Sequence, residues 1–213
     1  MNVRVIVGPT AAGKSAVAMD WAKREPLAIL SADSRQIYRG FDVGTAKPSA
    51  DDRATVVHYG VDIVDPTQHY SAYQWAKDAA QWIGDAVRRG LVPVIVGGTG
   101  FYIKSLFDPP YDVPPVTDVP YIGEYHRVDP GPPLKDHIEH RVEEMFARGW
   151  IAEVEQLMHN VPEDAIAWKA CGYRNLRKYI TGEYTLAYAK ERVIIETRQY
   201  AKRQRTWFRH QLP

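Results

Sequence analysis

The 213-residue chain has a single cysteine, Cys171. One thiol excludes an internal disulfide framework and a cysteine-rich zinc site. The seven histidines are scattered, and His137 and His140 read as occupants of a solvated helix face rather than metal ligands. No apolar run approaches the roughly 18 residues that a membrane helix requires. Residues 1–4 lead directly into an apolar strand pattern without a signal-peptide core. The expectation is a cytoplasmic protein with no membrane association, acting as a monomer. Internal repeats and low-complexity tracts are also missing. With 45% hydrophobic residues, the length suits one substantial core with a small appendage and is too short for two full domains.

An overall excess of charge is lacking too, because the net value is only +1. That total hides an uneven distribution. Residues 169–213 hold eleven Lys or Arg against three acids, a local +8, so the rest of the chain is acidic. A basic terminal fifth suits a polyanion partner, and it equally describes a solvated helix face.

What is present begins at Gly8-Pro9-Thr10-Ala11-Ala12-Gly13-Lys14-Ser15, between an apolar strand pattern and a helical one. This is a phosphate-binding loop. Its glycines let backbone N–H groups converge on phosphate oxygens, the helix start adds positive dipole, Lys14 adds a charge and Ser15 can reach Mg2+. Further along, apolar runs at residues 27–31 and 92–96 alternate with helical patterns. That alternation predicts an α/β fold, a P-loop NTPase-like parallel sheet flanked by helices. Ser71 and Gln74 form a capping-box pattern ahead of an apolar stripe of Ala72, Trp75, Ala79, Trp82 or Ile83, and Ala86, so the tryptophans read as core. Eight of the fifteen prolines fall within residues 108–136, which read as an extended connection leaving the core. Helical patterns resume at Leu134 and at Ile151, and a long basic helix spans about residues 185–208. The organisation expected is a core segment 1–107, a reduced, mostly helical insertion 108–160, and a return to the core over 161–213.

In a parallel sheet the ligand sits beyond the carboxyl ends of the strands. The second strand ends at Ser31-Ala32-Asp33-Ser34-Arg35-Gln36, where Asp33 is a candidate proton acceptor or, alternatively, a magnesium or capping carboxylate. The third ends at Gly97-Gly98-Thr99-Gly100, where Thr99 either bonds substrate or caps the next helix. No acidic residue closes this third strand, as a nucleotide-hydrolysing motor would require. Group transfer to an acceptor follows, and a small-molecule kinase and a diphosphate-releasing transferase both fit. On the last helix, Val193, Thr197, Tyr200, Gln204 and Trp207 share one stripe, while Arg198, Lys202, Arg205 and Arg209 stack along another. Either a polyanion or acids from other elements must offset that ladder.

The phosphate loop, the block from Ser31 to Tyr38, Asp42-Val43-Gly44-Thr45-Ala46-Lys47-Pro48, Gly97-Gly98-Thr99-Gly100-Phe101-Tyr102, Gly172-Tyr173-Arg174, and the stretch from Thr197 to Gln204 with Thr206-Trp207 closely resemble the tRNA dimethylallyltransferase family, in the family's order. The resemblance implies transfer of a dimethylallyl group from dimethylallyl diphosphate to N6 of adenosine 37 of tRNA, with Mg2+. It implies that Asp33, Thr99 and Lys14 are catalytic. Gly8, Thr10, Ala11, Ala12, Gly13, Lys14 and Ser15 hold the diphosphate, with Ser15 on the metal. The tRNA anticodon stem-loop then lies against Asp33, Ser34, Arg35, Gln36 and Thr99, against Lys169, Gly172, Tyr173 and Arg174, and against Arg198, Gln199, Lys202, Arg203 and Gln204. The chain departs from the family in having no Gln-Arg-rich helical insertion between the Gly-Gly-Thr-Gly and Gly-Tyr-Arg blocks. That departure keeps an adenylate isopentenyltransferase acting on free AMP, ADP or ATP open as an alternative, beside a kinase and a nucleotide-dependent RNA-binding module.

Overall fold

The computed structural model describes residues 1–109, 114–117 and 120–212; residues 110–113 and 118–119 of the proline-rich connection lie outside the described residues. The strands are β1 (Asn2–Val7), β2 (Leu27–Ala32), β3 (Val57–Tyr59), β4 (Val92–Gly97) and β5 (Ile122–Arg127). They form one parallel sheet in the order β3-β2-β4-β1-β5. β2 is buried at every position and β4 at all but its first. Both read as continuous apolar runs because helices cover both faces of the sheet.

The helices follow in chain order: α1 (Lys14–Ala22), α2 (Ala50–Thr55), α3 (Ala72–Arg88), α4 (Gly100–Phe107), α5 (Leu134–Ala147), α6 (Trp150–Asn160), α7 (Tyr173–Ile180) and α8 (Leu186–Gln211). Side chains alternate across β1, so Val3, Val5 and Val7 meet α3, α4 and the end of α8, while Ile6 packs toward α1. α3 starts at Ser71, whose hydroxyl accepts from Gln74 N–H while the Gln74 side chain accepts from Ser71 N–H, a cap worth about 1 kcal/mol. Ile83, not Trp82, completes its buried stripe, and the Trp75 indole N–H donates to the Ser31 carbonyl at 2.9 Å.

Residues 122–127 correct the expectation that the whole proline-rich stretch leaves the core. They return as β5 and pair with β1 from Asn2 to Val7. The outer face of this edge strand is exposed, so its sequence carries no apolar run; backbone pairing and the packing of Tyr125 against Phe107 hold it. The short α2 and β3 likewise lack a readable pattern.

A second, mostly helical core gathers Phe41 from the loop after β2, Trp150 and Val154 from α6, Trp168 from the single helical turn Ile166–Lys169, Tyr173 and Leu176 from α7, and Val193 from α8. The Glu153 carboxylate organises it, accepting from the N–H groups of Asp42 and Val43 at 3.0 and 2.6 Å and from the Tyr173 hydroxyl at 2.6 Å. A small joint of Ala12, Leu134, Ile138 and Ala201 locks the phosphate loop, α5 and α8 together. The site forms around that joint.

Candidate active site

The loop between β1 and α1 turns through Gly13 at φ 90°, a conformation that favours glycine, and delivers Lys14 and Ser15 to the first turn of α1. Thr10, Ala11, Ala12, Gly13, Lys14 and Ser15 line one wall of a cavity of about 530 Å³. The Lys14 ammonium donates to the Pro9 carbonyl at 2.7 Å. Burial, aided by the nearby Arg141 guanidinium and opposed by Asp33, pushes this amine down to about 8. An oxyanion entering the cavity would restore the charge, because it supplies the counter-ion that burial removed.

Asp33 stands at the end of β2 in the same cavity. Its Oδ1 accepts from the Arg35 N–H at 2.8 Å and, more weakly, from the Gln36 N–H at 3.4 Å, while Oδ2 has no partner among the described residues. The side chain is thus oriented with one oxygen unengaged. A second, smaller cavity of about 60 Å³ begins where the first ends, sharing Thr10, Asp33, Arg141 and Met145, and runs to Cys171, Thr197 and Tyr200. Asp33 sits between an anion cradle and a narrow passage of mixed polar and apolar lining. That placement lets a carboxylate meet two reactants arriving from opposite sides.

Thr99 occupies the N-cap position of α4 and makes no capping bond. Its Oγ1 instead accepts from the Ser34 N–H at 3.0 Å and meets the Tyr200 hydroxyl. Burial and the adjacent Asp33 push the Tyr200 phenol upward, so it stays protonated as a donor. Burial also pushes the Cys171 thiol up to about 12, which leaves it without nucleophilic character.

The structure divides the residues expected on the RNA side. Arg35 lines the second cavity, and Lys169, Arg174, Gln199, Lys202 and Arg203 are exposed. Gln36 turns inward, donating to the Thr45 and Ala46 carbonyls. Gly172 and Tyr173 are buried; a Cβ at Gly172 would stand 2.3 Å from the Trp150 ring. These two shape the second core, and neither presents a surface to a partner. Gln204 is buried as well. It accepts from the Thr10 N–H at 2.7 Å and donates to the Gly98 carbonyl at 3.0 Å, bracing the phosphate loop against β4. A Cβ at Gly98 would lie 2.2 Å from the Gln204 amide nitrogen, so a side chain there would push this brace aside. Arg198 pairs with Glu139 of α5, and Arg205 pairs with Asp129. Acids from other elements therefore offset half of the basic ladder on α8.

The far wall of the large cavity is built from residues that no sequence motif marked. His137, His140, Arg141, Glu144, Met145 and Arg148 of α5 and its end line it, opposite the phosphate loop. His137 and His140 belong to the solvated face as expected, but that face looks into the cavity. Burial pushes the Arg141 guanidinium down, Asp33 and Glu144 oppose the shift, and Arg141 makes no ion pair among the described residues. The i, i+4, i+7, i+11 spacing from His137 to Arg148 was the available signal.

Comparison with known proteins places this geometry. A family model described as IPP transferase matches residues 36–126 and 124–211, and one described as isopentenyl transferase matches residues 1–58. A tRNA dimethylallyltransferase of Oenococcus oeni is 39% identical over 223 residues, covering 100% of this chain and 86% of the relative. One from Cyanothece sp. is 33% identical over 264 residues, covering 96% and 88%. The crystal structure of a tRNA delta(2)-isopentenylpyrophosphate transferase from Staphylococcus epidermidis superposes with a TM-score of 0.89 at 28% identity, covering 100% of this chain and 91% of that one. The two parts of the IPP transferase match meet at residues 124–126, at the end of β5, where the chain runs directly on to α5. By its sequence matches along nearly its whole length, and by a fold that reproduces a family structure, the chain belongs to the IPP transferase family.

Proposed function

We propose that this chain transfers a dimethylallyl group from dimethylallyl diphosphate to N6 of adenosine 37 in a tRNA anticodon loop. The observation that carries the reading is Asp33, oriented by the backbone at the junction of an anion cradle and a narrow second cavity. The names of the curated relatives support the same reaction.

In this scheme the loop N–H groups, Lys14 and Arg141 bind the diphosphate, with the allylic carbon toward Asp33. Ser15, in the first turn of α1 on the cavity wall, is the residue that would hold Mg2+ beside the diphosphate. Mg2+ bound there would offset charge gathering on the leaving diphosphate. The adenine is unstacked and enters beside Tyr200 and Arg35. The bond between the allylic carbon and diphosphate oxygen breaks, the N6–carbon bond forms, and the N6 proton passes to Asp33 Oδ2. Thr99 holds Ser34 and Tyr200 in place around the incoming base.

The test is incubation of purified protein with Mg2+ and radiolabelled dimethylallyl diphosphate, offering unmodified tRNA and AMP in parallel. Label at the adenosine beside the anticodon is the expected result. Label in AMP alone would make the protein a free-nucleotide prenyltransferase.

A further inference from the structure

We propose that the open groove at the end of α8 stacks the unpaired nucleobase next to the adenosine drawn toward Asp33; this rests on the tRNA reading above and extends it to a second base. The groove has a volume of about 450 Å³ and is lined by Lys202, Arg203, Thr206, Trp207, His210 and Gln211. Trp207 forms its floor. The indole is seated on Gly100, where a Cβ would stand 2.0 Å from the ring, packs against the main core and meets the buried Phe208 edge-on at 5.6 Å. A ring anchored on one side and open on the other loses little freedom when a base stacks on it.

Charge selects the occupant. Arg198 and Arg205 are neutralised by acids, whereas Lys202 and Arg203, on the groove wall, make no ion pair among the described residues. Arg203 lies over the Tyr200 ring at 5.8 Å. An aromatic floor between unpaired cations suits a base with its phosphates and disfavours an apolar peptide. Position supplies the register. Tyr200 borders the passage to Asp33, and Tyr200, Arg203 and Trp207 follow at i, i+3 and i+7 on one helix face. At 1.5 Å per residue, Trp207 lies roughly 10 Å along the helix from Tyr200, within reach of one or two nucleotides.

The experiment measures the binding of an anticodon stem-loop RNA to the full chain, using an intact loop and loops carrying an abasic site at either nucleotide flanking adenosine 37. Trp207→Leu should weaken the intact loop about five- to tenfold, and Trp207→Phe should restore most of that affinity. One abasic site should weaken wild type to a similar degree and Trp207→Leu less than twofold. Thr206→Glu, at an exposed position that leaves the core untouched, should also weaken the intact loop while leaving the KM for dimethylallyl diphosphate unchanged. Equal abasic penalties in wild type and Trp207→Leu would overturn the groove assignment, as would a dimer that Thr206→Glu dissociates. Failure of wild type to bind the intact loop at all would instead overturn the tRNA reading.

Discussion

Asp33 and Lys14 carry the sharpest expectations at the scale of single residues. Asp33→Ala removes the proposed proton acceptor without touching the exposed cations of α8. Prenyl transfer should be abolished while tRNA binding, measured by filter retention, stays within about twofold. Lys14→Ala should lower kcat/KM for dimethylallyl diphosphate at least about tenfold, because it deletes a charge-assisted hydrogen bond to the leaving group. The sign of the pH effect follows from the lowered amine. In the free enzyme Lys14 is protonated below about 8, so its charge disappears as pH rises through that value. A pH series of kcat/KM should therefore fall above about 8, and that limb should vanish in Lys14→Ala. Without ligand the folded chain gains relative stability between about 8 and the unfolded value of 10.5, since the unfolded state then binds more protons. Lys14, Ser15 and Asp33 were readable in sequence because each sits at a fixed offset from a strand end. Arg141 was harder to read: the i, i+4, i+7, i+11 spacing of His137, Arg141, Glu144 and Arg148 marks a shared helix face, but only packing decides that this face meets the loop.

At the scale of elements, α8 is a beam as well as a surface. Its inner face bears Val193, Ala201, Gln204 and Phe208, all buried, and Gln204 ties it to both the phosphate loop and β4. Gln204→Ala leaves the Thr10 N–H and the Gly98 carbonyl without these partners, at about 2 kcal/mol. Thermal unfolding should shift down by roughly 4–8 °C for a chain of this size. The KM for dimethylallyl diphosphate should rise with it, and a variant that loses stability while keeping its KM would show that the brace does not set the loop. The stripe containing Gln204 was visible in the 3.6-residue period, yet its burial as a brace was not, since a polar side chain at a buried position looks identical in sequence to an exposed one. β5 escaped for the opposite reason: an edge strand held by backbone pairing needs no apolar alternation on its outer face.

For the whole molecule, the basic terminal fifth resolves into paired and unpaired cations. Replacing Lys202 and Arg203 by Gln should weaken tRNA binding and lower the slope of log affinity against log salt by about one unit for each phosphate that is no longer neutralised. Unchanged binding would move the RNA surface elsewhere. The sequence by itself determined the parallel α/β sheet, the phosphate loop and Asp33 at the second strand end, because strand periodicity, glycine placement and apolar runs act over a few neighbouring residues. Only the tertiary structure decided that α5 closes the cavity with Arg141, that Gly172 and Tyr173 belong to a core, and that Glu139 and Asp129 silence two of the arginines on α8. Those outcomes depend on which distant faces pack together, and packing across the fold leaves no local period in the chain.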